Sequence, residues 1–136
     1  MTSRVIYKGQ LRTEATHLRS GNVIFTDAPV DNKGKGEAFS PTDLTATSLA
    51  SCILTIMGIA AQEHEIDMEG AVAEVKKNMV NGPRRIESIE ILITMPQKQY
   101  SSKQIKILEK AAHHCPVALS LNENTKELLS IIWPEN

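Results

Sequence analysis

Eighteen consecutive residues without a charge, from Leu44 to Ala61, limit what this chain can fold into more than any other feature. The run is long enough for about five helical turns, and it opens like a helix. Ser40 can cap, Pro41 suits the first helical position, and Asp43 falls where a capping-box acid belongs, at the positive end of the helix. The length approaches that of a membrane span. Five hydroxyls (Thr45, Thr47, Ser48, Ser51, Thr55) and the lack of basic anchors at the flanks argue against one. A helix apolar all round must be covered all round. A chain of 136 residues has one sheet to cover one side, so the pattern predicts a second subunit on the other, a homodimer.

The remaining elements follow from periodicity. Arg4–His17 alternates in part and reads as one or two strands broken at Gly9. Arg19-Ser20-Gly21-Asn22 is a turn, Val23–Thr26 a short strand, and Pro29–Glu37, with Gly34 and Gly36, a mobile loop. Beyond the long helix, Ala71–Lys77 and Ile86–Met95 form a hairpin around Asn81-Gly82-Pro83, with Ile89, Ile91, Ile93 and Met95 in strict alternation. Ser101–His114 is an amphipathic helix carrying Ile105, Leu108 and Ala112 on one face, and Glu127–Trp133 is a last strand. The order is βββ-α-ββ-α-β, an α+β fold in a single domain over residues 1–136.

Composition bounds the partners. Fifteen basic residues oppose sixteen acidic ones, and no basic stripe runs through the chain, so neither nucleic acid nor a membrane surface is an expected partner. Aromatic residues make up only 4%, too few for a base-stacking platform. The first residues hold no apolar core of signal-peptide length, which predicts a cytoplasmic protein with reduced thiols.

That compartment gives weight to the only two cysteines, Cys52 and Cys115, each within an apolar stretch. Free cysteine is often inert core. Brought together in a dry pocket, the same pair is suited to peroxide or disulfide chemistry. Pro116 pushes Cys115 out of helical geometry, so the preceding helix ends near His114 and a short helix begins at Pro116. Cys115 then caps that helix, where free amides favour a thiolate. Cys52, in mid-helix, needs a cation to ionise, and Arg19 is the candidate. His113, His114 and Cys115 lack a fourth ligand at metal spacing, so neither a metal nor a cofactor is expected. Met57, Met68, Met79 and Met95 read as core filling.

These segments resemble a known family. Ser40-Pro41-Thr42-Asp43-Leu44 with Ser48-Leu49-Ala50-Ser51-Cys52 is similar to the helix-opening motif of the OsmC/Ohr group, the osmotically induced and organic hydroperoxide resistance proteins. His113-His114-Cys115-Pro116-Val117 resembles its second cysteine motif, and Ala15-Thr16-His17-Leu18-Arg19-Ser20-Gly21 its arginine segment. Thr26-Asp27-Ala28-Pro29 is nearest the OsmC-like branch. The resemblance implies an intertwined dimer with central helices between two sheets. It implies Cys52 as the peroxidatic cysteine, Cys115 as the resolving one, and Arg19 as the activating arginine. It also implies small apolar organic peroxides as substrates and a dithiol of lipoyl type as reductant. The family's peroxidases carry a glutamate ten positions before the first cysteine. Here Thr42 stands there, with Asp43 beside it as a substitute or simply a cap. Two functions follow: thiol-dependent reduction of organic hydroperoxides, or a non-catalytic dimeric hydrophobic-ligand or interaction domain that retains its cysteines.

Overall fold

The computed structural model describes residues 1–135 and divides into two compact units, Met1–Thr45 and a second beginning at Ala46. The first unit is an antiparallel meander of β1 (Ser3–Gly9), β2 (Arg12–His17) and β3 (Val23–Asp27), in the order β1-β2-β3. The break expected at Gly9 is a tight turn in which Gly9, Gln10 and Leu11 all have positive φ. Gly9 suits that conformation, and the Tyr7 hydroxyl accepts a hydrogen bond from the Leu11 amide across the turn. The second turn closes through the Gly21 amide, which donates to the His17 carbonyl.

The segment after β3 departs from the expected mobile loop. Val30–Asn32 forms a single 3₁₀ turn. The amides of Gly34 and Gly36 donate to the carbonyls of Pro29 and Ala28, and the Asp27 amide donates to the Phe39 carbonyl. Gly34 is required here, because a β-carbon would lie 1.7 Å from the Ala28 carbonyl oxygen. The glycines that suggested mobility instead allow close backbone packing.

Helix α1 (Pro41–Glu63) starts in the first unit and runs through the second. Its capping box is present: Asp43 N–H donates to Ser40 Oγ at 3.1 Å, and Ser40 N–H donates to Asp43 Oδ2 at 2.9 Å. Thr45 and Thr55 donate their hydroxyls to the carbonyls of Pro41 and Ser51, so a polar side chain need not interrupt the helix. The buried positions, Ala46, Leu49, Ala50, Ile53, Met57 and Ala61, form one stripe at spacings of three and four. The helix meets the length and hydropathy of a membrane span, yet Leu49, Ile53 and Met57 are wholly enclosed by the chain's own core.

In the second unit β4 (Val72–Val80), β5 (Arg85–Thr94) and β6 (Lys126–Ile132) form a sheet in the order β4-β5-β6. β4 and β5 are the expected hairpin, while β6 runs parallel to β5. A parallel neighbour needs a long crossover, here supplied by α2 (Ser102–Ala112) and α3 (Pro116–Ser120). The inward side of β5 is Ile89, Ile91 and Ile93, packed with the α1 stripe and with Leu108 and Ala112 of α2. Each such side chain contributes roughly 1.5–3 kcal/mol on burial. On the outward side Asn78 donates to Ser88 and Glu90, so the polar half of the alternation is also used.

Candidate active site

The thiol pair lies in the second unit. Cys52, on α1, is partly exposed, whereas Cys115 is fully buried, and both are reduced. The two side chains are close enough for Cys52 to influence the ionisation of Cys115. Cys115 is the N-cap residue of α3 with Pro116 at the first helical position, as its dipeptide predicted. The thiol of Cys115 also lies 4.0 Å from the Leu49 carbonyl oxygen, one turn before Cys52 on α1.

The expectation that the helix start favours a thiolate at Cys115 is not met. Burial raises its pKa most, and the neighbouring Cys52 thiol raises it further. The amides of Ala118 and Val117 pull it down, as expected of a helix start, but they do not outweigh desolvation. Cys115 is therefore held as a neutral thiol, enclosed and out of reach of an incoming molecule. Cys52 is the less buried of the two.

The other nominated residues lie in the first unit. Arg19 sits in the β2–β3 turn, exposed, beside a His17 Nδ1···Ser20 Oγ contact of 2.6 Å. Asp43 serves the α1 cap, and the Thr42 hydroxyl is 3.3 Å from that of Ser40. Of the four nominated residues, the structure brings Cys52 and Cys115 near each other. A groove of about 480 Å³ on the β4–β6 sheet, lined by Glu74, Lys76, Glu90, Leu128 and Ser130, contains neither cysteine.

The first unit also holds a polar centre that sequence reasoning missed. Arg12 grips Asp27 with both prongs of its fork, Nε to Oδ1 at 2.7 Å and Nη2 to Oδ2 at 2.8 Å. Nη2 also reaches Glu37 Oε2 at 3.1 Å, and the Glu37 amide donates to Asp27 Oδ2. Asp27 is fully buried, and its hydrogen bond with Arg12 holds its carboxyl below the usual range. The available signal was register. Arg12 and Asp27 are cross-strand partners at the mouth of a hairpin, where opposite charges pair.

The chain is thus a small α+β protein with two three-stranded sheets and a buried thiol near a partly exposed one. The profile of the family described as OsmC-like protein matches residues 34–128, and the chain belongs to that family. It is similar to a Psychrobacter arcticus protein assigned to the osmotic stress and detoxification response. The two are 53% identical, over 97% of this chain and 96% of that one, with a TM-score of 0.92. The organic hydroperoxide resistance protein OsmC of Legionella pneumophila shares the fold at 16% identity, with a TM-score of 0.75 over 98% of both chains. OhrB of Bacillus subtilis, an organic hydroperoxide resistance protein, shares it at 18% identity and a TM-score of 0.68, over 97% of this chain and 98% of that one. No curated protein matches the chain by sequence.

Proposed function

We propose that this protein reduces organic hydroperoxides through a two-cysteine cycle, as a cytoplasmic homodimer. The observation that carries the proposal is the proximity of the partly exposed Cys52 to the enclosed Cys115. The hydroperoxide resistance proteins that share the fold support the substrate class. The Cys52 thiolate attacks the terminal peroxide oxygen. A sulfur–oxygen bond forms, the O–O bond breaks, and the alkoxide leaves and takes up a proton as an alcohol. Sulfur is oxidised to the sulfenic acid and the peroxide is reduced. Cys115 then attacks the Cys52 sulfur, closing a disulfide, and the hydroxyl leaves with the Cys115 proton as water. A dithiol reductant, of lipoyl type in this reading, restores both thiols by exchange. A neutral Cys115 does not compete for peroxide in the first step, and it gives up its proton as it attacks the Cys52 sulfur in the second.

An arginine completes the cycle by stabilising the thiolate and the leaving oxygen, and sequence nominates Arg19. The dimer is supported by apolar side chains that the single chain leaves uncovered: Val5, Tyr7 and Ile24 on one face of the first sheet, and Ile59 on α1.

The test is one equivalent of an organic hydroperoxide followed by thiol titration and mass spectrometry. Rapid loss of both thiols, with a mass lower by two hydrogens, is expected. Cys115→Ser should instead stop at a trappable sulfenic acid on Cys52. If both thiols still titrate after exposure, the reductase reading fails and the non-catalytic domain takes its place.

A further inference from the structure

The turn between β2 and β3 holds a serine against a histidine. His17 Nδ1 and Ser20 Oγ lie 2.6 Å apart, and both residues are exposed. The backbone between them folds back on itself. The His17 amide donates to the Asn22 carbonyl, the Gly21 amide to the His17 carbonyl, and the Leu18 amide to the Thr2 carbonyl. Gly21 sits at a φ of 78°, a conformation that glycine adopts without steric cost. Main-chain bonds therefore set the pairing, and the two side chains do not have to find each other unaided.

The hydroxyl has one hydrogen to give. Ser20 Oγ already accepts from the Asn22 amide at 3.2 Å. With His17 neutral and its hydrogen on Nε2, Nδ1 accepts the Ser20 hydrogen, and the contact is that of a nucleophile with its base. The separation falls within the reach that general-base catalysis needs, about 2.6–3.2 Å. Exposure leaves the oxygen open to an incoming molecule. A nucleophile and a base suffice for an ester with a good leaving group, whereas an amide also needs donors for its oxyanion.

We propose that His17 and Ser20 form a nucleophilic dyad that accepts acyl groups from activated esters, an activity separate from the thiol pair. Ser20 Oγ attacks the carbonyl carbon while its proton passes to His17 Nδ1. The new carbon–oxygen bond forms on the serine, and the bond to the leaving oxygen breaks. That oxygen departs with the electron pair and takes up the proton from His17. The product is an O-acyl Ser20. Water, deprotonated by the same imidazole, then attacks the acyl carbonyl and releases the acid and the free serine. Nothing is oxidised or reduced in either step.

The test uses p-nitrophenyl acetate on the whole chain. Peptide mass spectrometry of quenched samples measures the rate at which acetyl appears on Ser20, apart from any acetyl on lysines or on the two cysteines. Wild type should acetylate Ser20 with a burst of p-nitrophenolate. His17→Gln keeps a hydrogen-bonding side chain that cannot take up a proton, so it should slow Ser20 acetylation roughly 100-fold, the lower end of a general base's contribution. His64→Ala, at an exposed histidine outside the turn, should acetylate Ser20 at the wild-type rate. Equal rates at Ser20 in wild type and His17→Gln would overturn the inference, since they would mark an ordinary exposed hydroxyl. So would acetyl confined to lysines and cysteines in wild type. A lowered melting temperature accompanying the slow reaction of His17→Gln would mark a structural role for the contact and overturn it as well. The reaction involves no peroxide, so none of these outcomes bears on the reductase reading.

Discussion

The two units are held together by opposite means. In the first, the buried residues are Thr26, Asp27 and Ser40, all polar, and the organising contact is the Arg12–Asp27–Glu37 ion network. Its apolar side chains lie outward: Val5, Tyr7 and Ile24 on one face of the sheet, Ile6, Val23 and Phe25 on the other. In the second, a core of Leu49, Ile53, Met57, Ile89, Ile91, Ile93 and Leu108 is wholly enclosed. Hydrophobic burial is non-directional and scales with area, so the second unit stabilises itself. A three-stranded sheet with both apolar faces open does not, and charge pairing gives it order rather than a core. The comparison shows where reactivity can be kept. The thiol pair sits in the self-sufficient unit, and the sheet with uncovered faces is the surface on which a second chain would bring most stability.

The largest effect that would break this comparison is chemical. Cys52→Ser should abolish hydroperoxide consumption while leaving the thermal melt unchanged, because Cys52 is at the margin of the core. Retained turnover would move the chemistry elsewhere. Next in size, Ile91→Ala should cost about 2–5 kcal/mol in denaturant unfolding, as cavities in enclosed cores do. A loss below about 1 kcal/mol would mean that the second unit is not the stabilising one.

Acid and alkali should act on different units. Asp27 has a depressed pKa in the fold, so its contribution is present above the ordinary aspartate value and is lost as pH falls through the folded one, below about 3.8. Cys115 has a raised pKa, so its contribution is present below the ordinary thiol value and is lost as pH rises from about 9 upward. Melts followed across pH should show Asp27→Asn flattening the acid limb alone and Cys115→Ala flattening the alkaline limb alone. The smallest effect should come from Ile24→Ser. At dilutions where light scattering shows a monomer, the cost should stay within about 0.5 kcal/mol, as at an open surface. At concentrations that favour a dimer it should grow. A concentration-independent loss would mean that Ile24 is buried within its own chain.

Much of the site was legible because local physics wrote it. Ser40 and Asp43 cap α1 with groups three residues apart, and Cys115 caps α3 because Pro116 forbids helix at the residue before it. Ile89, Ile91 and Ile93 share a face because strand side chains alternate, whatever the neighbours. Such rules act over a few residues, and the chain alone determines them. Tertiary structure decided the rest. The parallel pairing of β6 with β5 depends on where α2 and α3 return the chain, and no residue of Lys126–Ile132 encodes that by itself. The partnership of Arg12 with Asp27 exists only in one hairpin register, fifteen residues apart. The protonation of Cys115 turned on a competition between two local amides and the packing of distant segments around the sulfur. Desolvation depends on everything that surrounds an atom, and only the folded chain supplies it.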